Sequence, residues 1–216
     1  MQNIVYTAIA NNYDTVKPFP VTNATHIHIN EPLFYPNKDP ARRAKYCKIM
    51  AHKVLPRDTR YSMWVDGSIQ LKQLDFKELT DRYLKDGDIA VLKHPTRDCI
   101  FKEADVIIAL NKDDPELVLK QITRYSQFQH NWGLSENGIL LRRHNTAVEW
   151  FNELWWEEIL IGSKRDQLSF PYVIHKKIPM PFTYIEDRSF FTVLPHLMPQ
   201  PVTPLPTTKR IGRFKR

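Results

Sequence analysis

Asp66 and Gly67 directly follow the apolar run YSMWV of residues 61–65. A carboxylate at the end of a buried strand is well placed to hold a divalent cation that bridges phosphates. A glycine beside it would allow a ligand or another segment of the chain to approach closely. The same two residues also fit an ordinary Asp-Gly turn leaving a strand, and the spacing alone leaves both interpretations open.

A basic group occupies the segment that reads as the first long helix, about residues 41–54: Arg42, Arg43, Lys45, Lys48 and His52. Lys45, Lys48 and His52 follow an i, i+3, i+7 spacing and share one helix face. Cations beside a sheet edge could pair with a diphosphate, with arginine binding it through two hydrogen bonds. The alternative is a solvated helix face.

His94, Arg97 and Asp98 follow another apolar run, residues 88–92. These side chains could contact a substrate or a phosphate at a strand end, because ligands of open α/β sheets bind outside the carboxyl ends of the strands. The alternative is ordinary loop polarity, with Asp98 as the cap of the next helix.

Two carboxylates farther along are candidates for a general base, Glu158 and Asp166. Trp155 and Trp156 precede Glu158 and could form a surface for a sugar ring. The competing interpretation places the tryptophans in the core and makes Ser163 and Asp166 a capping box at a helix start.

Several function classes lack their motifs. The sequence contains no G-x-G-x-x-G, no G-x-x-x-x-G-K-[ST], no G-x-S-x-G and no H-E-x-x-H. Its two cysteines exclude a disulfide scaffold and a four-cysteine zinc site, and they favour a reducing, cytoplasmic location. His26 and His28 share a strand face, which fits an exposed pair better than a metal site.

The elements that must position these residues alternate between strands and helices. Strands are predicted near residues 3–10, 25–30, 61–65, 88–92, 138–141 and 180–184, and helices near 41–54, 74–84, 97–110, 115–129, 145–160 and 163–175, with Asp39 and Pro40 opening the first. This alternation predicts an α/β fold with a largely parallel sheet.

Charge separates the chain into a body and a tail. The net charge is +7, but residues 207–216 carry five basic and no acidic residues, so the remainder is nearly balanced. Five prolines occupy residues 195–206. We therefore predict one domain over residues 1–194 and an unpacked tail over 195–216. The tail could bind a polyanion or an anionic membrane surface.

Six segments occur in the order in which one known family has them: VYTAIANNYD, PARRAKYCKIMAHKVLP, YSMWVDGSIQL, LKHPTRDCIFKEA, GLSENGILLRRHN and WWEEILIGSKRDQLSFPYV. Over about residues 4–173 the chain resembles the glycosyltransferase-like domain of plant mucilage-related proteins and bacterial relatives. The resemblance implies a GT-A-like fold, a nucleotide-sugar donor, a glycan acceptor, and Mn²⁺ or Mg²⁺ at a D-x-D motif. Some relatives carry a ceramidase-like description, for which the sequence offers neither a nucleophile nor a histidine-rich metal site.

The resemblance also implies roles for individual residues. Asp66 matches the first acid of the D-x-D motif, whereas Ser68 stands at the second acid, which weakens the expectation of a metal. Asp166 matches an acceptor-side carboxylate and is our first candidate base, with Glu158 the second. The donor-binding candidates are Tyr6, Thr7, Ala8, Tyr13, Asp14, Arg43, Lys45, Lys48, His52, Asp66, His94 and Arg97.

The sequence therefore predicts a glycosyltransferase that moves a sugar from a nucleotide-diphosphate donor to a carbohydrate or glycoconjugate hydroxyl. One alternative is a non-catalytic module that binds sugar nucleotides or glycans, which Ser68 would favour. Another is a polyanion-binding protein that acts through residues 209–216.

Overall fold

A computed structural model describes residues 1–30, 34–128 and 133–196. The strands are β1 Gln2–Ile9, β2 Val21–Thr22, β3 Thr25–Asn30, β4 Thr59–Val65, β5 Ile69–Leu71, β6 Leu74–Asp75, β7 Ile89–Lys93, β8 Ser135–Arg143, β9 Phe182–Ile185 and β10 Phe191–Val193. The helices are α1 Pro40–Ile49, α2 Ala51–Val54, α3 Phe76–Tyr83, α4 Ile100–Ala109, α5 Pro115–Arg124, α6 Thr146–Ile161 and α7 Asp166–Tyr172, which runs into a π-helical turn, Val173–Lys177.

Six strands form the central sheet in the order β3-β1-β4-β8-β7-β9. β1 pairs in parallel with β3 and β4, β7 pairs in parallel with β9, and β8 runs antiparallel to both of its neighbours. Five strands therefore point the same way and one is reversed. The predicted fold class, an α/β domain with a mostly parallel sheet, is confirmed.

Both faces of the sheet are covered, which explains the continuous apolar runs of the sequence. Along β1, Ile4, Tyr6 and Ala8 pack with α1, α6 and α7, whereas Val5 points to the other face with Phe76 of α3. The alternation follows from the period of two in a strand. The sheet is thus rigid at the point where β1 and β4 end side by side.

The first helix begins as predicted and ends early. The Asp39 carboxylate accepts a hydrogen bond from the Ala41 amide at 2.9 Å, and Pro40 occupies the first turn. Met50 interrupts the helix with φ −88° and ψ 42°, so residues 51–54 form the separate helix α2. The single helix predicted for residues 41–54 is wrong in this respect.

The two helix caps that were considered as alternatives to a functional role do not form. Cys99, not Asp98, is the N-cap of α4, and Asp98 pairs with Lys102 at 3.0 Å. Arg165 is the N-cap of α7, so Ser163 and Asp166 do not form a capping box. The side chains of Ser163 and Asp166 instead contact other parts of the fold, as described below.

Within the described residues, no helix combines the length and apolarity needed to cross a membrane. Residues 197–216, which include the whole of the predicted basic segment, lie outside the described part of the chain.

Candidate functional site

A cleft of about 550 Å³ opens where β1 and β4 end. It is lined by residues from the end of β1 and the loop that follows it, within 8–14, and by residues around the end of β4, within 64–69. The N-terminus of α1, residues 164–167, two residues of β8 and the segment after β10 complete it. The carboxyl ends of parallel strands are where α/β sheets bind ligands, so this cleft is the candidate site.

Asp66 stands at the centre of the cleft. Its Oδ1 accepts a hydrogen bond from Trp64 Nε1 at 2.6 Å and lies 3.4 Å from Lys48 Nζ. Among the described residues, Oδ2 has no recorded hydrogen-bond partner, and 36% of the side chain is exposed. Asp66 therefore presents one oriented carboxylate oxygen to a ligand.

Gly67 is required by the packing next to Asp66. A Cβ at this position would lie 2.9 Å from Asp14 Oδ2, so any side chain would displace the loop after β1. That loop turns through Asn11 and Asn12, both with positive φ, a conformation that asparagine tolerates. The glycine thus serves the close approach of two cleft-forming segments.

A chain of buried charges lies behind Asp66. Lys48 Nζ is 2.7 Å from Asp166 Oδ2, and Lys45 Nζ is 2.8 Å from the same oxygen. Because Lys48 contacts both carboxylates, Asp66 and Asp166 lie within two ion-pair distances of each other. The structure therefore brings Asp66, Lys45, Lys48 and Asp166 together in one cluster of charges.

The pKa values in this cluster reflect burial and mutual attraction. Burial alone would raise the pKa of Asp166, but Lys45 and Lys48 outweigh it and hold that pKa below its usual value. Burial lowers the pKa of Lys45 to about 8, although Asp166 opposes this shift. Burial also disfavours the charged form of Lys48, yet Asp166 and Asp66 raise its pKa overall. Asp166 and Lys48 are therefore charged at neutral pH.

Lys164 and Arg165 also line the cleft, and neither was among the predicted site residues. The loop that bears them is held by Asp113, whose Oδ2 accepts hydrogen bonds from Ser163 Oγ at 2.5 Å and from the Lys164 amide at 2.8 Å. Arg42 donates to the carbonyls of Ile159 and Gly162. The sequence offered one signal for them, which was their position directly before Asp166 in the segment K-R-D-Q.

The mouth of the cleft is bordered by the segment after β10. His196 Nδ1 lies 3.0 Å from Asp14 Oδ2, and its ring packs against Tyr13 with centroids 4.6 Å apart. The Leu194 amide donates to the Ser68 carbonyl at 2.8 Å. Ala8, Tyr13 and Asp14 thus line the cleft as predicted, and His196 is an addition that no motif announced.

Tyr6 and Thr7 lie beneath the cleft and do not line it. The Tyr6 hydroxyl donates toward the carbonyls of Cys47 and Lys48, at 3.3 and 3.2 Å, and accepts from Arg142 Nη2 at 2.5 Å. Tyr6 is completely buried, because β1 is covered on both faces. The structure therefore gives Tyr6 a role in holding the C-terminal end of α1, not in contacting a ligand.

Two cations of the predicted basic face also point elsewhere. His52 lies 3.1 Å from Glu153 Oε1 on α6, and Arg43 Nη1 donates to the Asn37 carbonyl at 3.0 Å. The break at Met50 separates His52 from Lys45 and Lys48, with which the i, i+3, i+7 spacing had grouped it. Of that face only Lys45 lines the cleft, with Lys48 buried behind Asp66.

Glu158 occupies a separate buried cluster outside the cleft lining. Arg124 donates to both of its oxygens, at 2.9 and 2.7 Å, while the Tyr125 hydroxyl and Lys177 also contact it. Burial would raise the pKa of Glu158, but its hydrogen bonds with Arg124 and Tyr125 lower it overall. This carboxylate joins α5, α6 and the π-helical turn, so the structure does not place it to act as a base in the cleft.

His94 and Arg97 also lie outside the cleft lining. His94 Nδ1 accepts the amides of Thr96 and Arg97, at 3.2 and 3.0 Å, and Arg97 pairs with the buried Glu103. Burial, followed by Arg97, lowers the pKa of His94. Both side chains organise the turn before α4, which explains their polarity without a ligand.

The fit of Mn²⁺ or Mg²⁺ depends mainly on Asp66. Within the residues that the structure describes, no three His, Cys, Asp or Glu side chains group together as metal ligands. Ser68, in the place of a second acid, is buried and uncharged. Mg²⁺, however, is commonly held by one or two carboxylates together with substrate phosphates. The free Oδ2 of Asp66 fits that shared arrangement and not a cage made by the protein alone.

The fold and the cleft define an α/β domain of the glycosyltransferase-like class. The chain belongs to the TOD1/MUCI70, glycosyltransferase-like domain family, whose model matches residues 26–190. The resemblance noted in the sequence is thereby confirmed.

Two curated relatives come from Arabidopsis thaliana. The chain is 29% identical over 157 residues to "Probable hexosyltransferase MUCI70", covering 65% of this chain and 26% of that protein. It is 26% identical over 164 residues to "Alkaline ceramidase TOD1", covering 68% and 35%. The chain thus spans about a quarter to a third of the length of these relatives.

Among solved structures, the apo form of the bifunctional glycosyltransferase WbbM superposes with a TM-score of 0.46 at 14% identity. The superposition covers 76% of this chain and 28% of that one.

Proposed function

We propose that this domain transfers a glycosyl group from a nucleotide-diphosphate sugar to a carbohydrate or glycoconjugate hydroxyl. The observation that carries the proposal is Asp66 at the end of β4, with its free carboxylate oxygen in a cleft that also holds Lys45, Lys164 and Arg165. The family supports a glycosyltransferase. The donor, the acceptor and the reaction of the whole protein are parts of the proposal.

Glycosyl transfer from such a donor leaves a diphosphate, and stabilising the charge that develops there lowers the barrier. The cations on the wall of the cleft are the groups of this chain that supply such stabilisation. Asp66 and the donor phosphates together would hold Mn²⁺ or Mg²⁺, which acts as a Lewis acid when bound. The buried cluster behind Asp66 fixes that carboxylate before the donor arrives.

The acceptor hydroxyl must lose a proton during transfer. We propose Asp166 as the first candidate base, because it is ionised at neutral pH and lines the cleft. Its lowered pKa makes it a weak base, since catalytic efficiency rises as the pKa approaches the working pH. Asp166 also fixes Lys45 and Lys48, so its two roles must be separated experimentally.

A screen of nucleotide sugars with different bases, with and without Mn²⁺, tests this proposal. A donor present at 100 times its Kd should stabilise the fold by about 2.7 kcal/mol. Release of nucleoside diphosphate in the presence of candidate acceptors then measures turnover. Binding without release would support the non-catalytic alternative, and the absence of binding by any donor would contradict the proposal.

A further inference from the structure

The guanidinium group of Arg165 carries a positive charge in the cleft. Among residues 1–30, 34–128 and 133–196, no acidic side chain forms an ion pair with it. Its Nη2 donates to the neutral amide oxygen of Gln167 at 3.1 Å, and within the described part of the chain its Nε–H is buried without a partner. The guanidinium also lines the cleft, where a bound anion would compensate its charge.

The other cations of the cleft differ in how far they are already neutralised. Lys45 and Lys48 both contact Asp166 Oδ2. Among the described residues, Lys164, next to Arg165, pairs with Asp39 at 3.4 Å, and both side chains of this pair remain partly exposed, at 23% and 30%. Lys164 and Arg165 are therefore the cations most available to an incoming anion.

The segment that carries these two residues is fixed in advance. Asp113 accepts hydrogen bonds from the hydroxyl of Ser163 and the amide of Lys164, while the Ser163 amide donates to Gln121 Oε1 at 2.9 Å. Gly162 packs directly on Gln121, so close that a Cβ would lie 2.8 Å from the amide group. A rigid loop loses little conformational entropy when it binds a ligand.

We infer that Arg165 and Lys164 bind the diphosphate of the donor. This inference rests on the proposed function and assigns the anion-binding role to residues outside the predicted basic helix. Arginine presents a planar fork that matches two phosphate oxygens, and the neighbouring lysine adds a point charge for the second phosphate. Asp66 lies elsewhere in the cleft, so the protein cations and a cation held by Asp66 can act on the same diphosphate.

Binding of nucleoside diphosphates, the parent nucleosides and inorganic pyrophosphate to wild type, Arg165→Gln and Lys164→Gln tests the inference. We expect Arg165→Gln to weaken binding of the diphosphates and pyrophosphate by about tenfold or more, as loss of a charge-assisted hydrogen bond does. Nucleoside binding should not change. Arg165→Lys should retain part of the affinity, because it keeps the charge and loses the fork.

Arg57→Gln is the control, since it removes one exposed positive charge away from the cleft. Thermal melting of each variant checks that the fold is intact. If Arg165→Gln and Lys164→Gln bind diphosphates as tightly as wild type does, the inference is overturned while the proposed function stands. If wild type binds no nucleoside diphosphate, with or without Mn²⁺, the proposed function itself fails.

Discussion

The ammonium nitrogen of Lys48 lies 2.7 Å from Asp166 Oδ2, and the two side chains are only 1% and 3% exposed. Burial of two charges carries a desolvation cost that such close pairing only partly offsets. The presence of this ion pair therefore says little about the stability of the fold. It indicates instead that the site requires a fixed charge at this position. The pair lies directly behind Asp66, whose orientation it secures through the 3.4 Å contact with Lys48.

Lys48→Met should destabilise the protein by about 3 kcal/mol, because it leaves the buried Asp166 with one lysine in place of two. Urea unfolding measures this change. Lys53→Met is the matched control: its partner Glu153 and its own side chain are both nearly half exposed, so its loss should cost under about 1 kcal/mol. Equal costs for the two variants would contradict the buried-pair interpretation.

Acid should weaken wild type more steeply than Asp166→Asn. The folded pKa of Asp166 lies below its unfolded value, so the unfolded state binds the proton first as the pH falls. Its stabilising contribution is complete above the unfolded pKa of about 4 and is lost progressively below it. Free energies of unfolding between roughly pH 6 and pH 3 measure this slope.

The comparison for that prediction is Asp105→Asn, which alters an exposed carboxylate on α4. This control should keep the wild-type slope. A slope for Asp166→Asn that equals the wild-type slope would show that other carboxylates govern acid unfolding.

The sheet was predictable because its strands are buried on both faces and read as apolar runs. Residues 61–65 and 88–92 were placed in β4 and β7 within two residues at each end. The reversed direction of β8 was not predictable, since strand direction depends on the connection between elements and not on local pattern. The break at Met50 also has no local signal, because neither glycine nor proline occurs there.

The residues whose place in the cleft could be predicted are those close to the end of a strand. Ala8 lies near the end of β1, Tyr13 and Asp14 lie in the loop after it, Asp66 follows β4, and all four line the cleft. The prediction of Glu158 as a base rested on residue type alone. The sequence of a helix does not show that Arg124, Tyr125 and Lys177 from other parts of the chain contact this carboxylate. Lys164 and Arg165 were overlooked since the net charge of a local segment does not reveal which cations are already paired.

Asp66→Asn should abolish metal-dependent donor binding and leave the melting temperature nearly unchanged. Asparagine keeps an oxygen that can accept the Trp64 Nε1 hydrogen bond, but it removes the charge that would hold Mn²⁺ or Mg²⁺ together with the donor phosphates. Thermal shifts with a nucleotide sugar, measured with added Mn²⁺ and after chelation by EDTA, give the readout.

Glu136→Gln serves as the comparison, since Glu136 also lines the cleft but pairs with Arg188 at 2.7 Å. It should retain the Mn²⁺ dependence of wild type. Donor binding that is equally strong in Asp66→Asn and insensitive to EDTA would remove Asp66 from the metal proposal.

Tyr6→Phe should lower stability without changing donor affinity. The hydroxyl accepts a hydrogen bond from the buried Arg142, and its loss should cost about 1–3 kcal/mol.

Tyr13→Ala should weaken donor binding and leave stability nearly unchanged, because Tyr13 lines the cleft. The affinity for the donor should fall by roughly threefold to tenfold if the ring packs on the ligand. Melting curves and donor titrations separate the two effects. A Tyr6→Phe variant with weakened binding and normal stability would restore the original assignment of Tyr6 to the ligand.

Asp166→Asn and Glu158→Gln should differ in transfer, although both disturb buried charges. Glu158 joins Arg124, Tyr125 and Lys177 outside the cleft lining, so Glu158→Gln should lose stability while its folded fraction transfers at the wild-type rate.

Asp166→Asn should keep donor binding but lose transfer to the acceptor by about 10²-fold or more if the carboxylate is the base. Single-turnover transfer rates at saturating donor, corrected for the folded fraction, make the comparison independent of stability. Donor affinity adds a second criterion, because displacement of Lys45 and Lys48 weakens donor binding, whereas loss of a base alone lowers the rate of transfer. Wild-type transfer by folded Asp166→Asn would limit Asp166 to holding the two lysines in place.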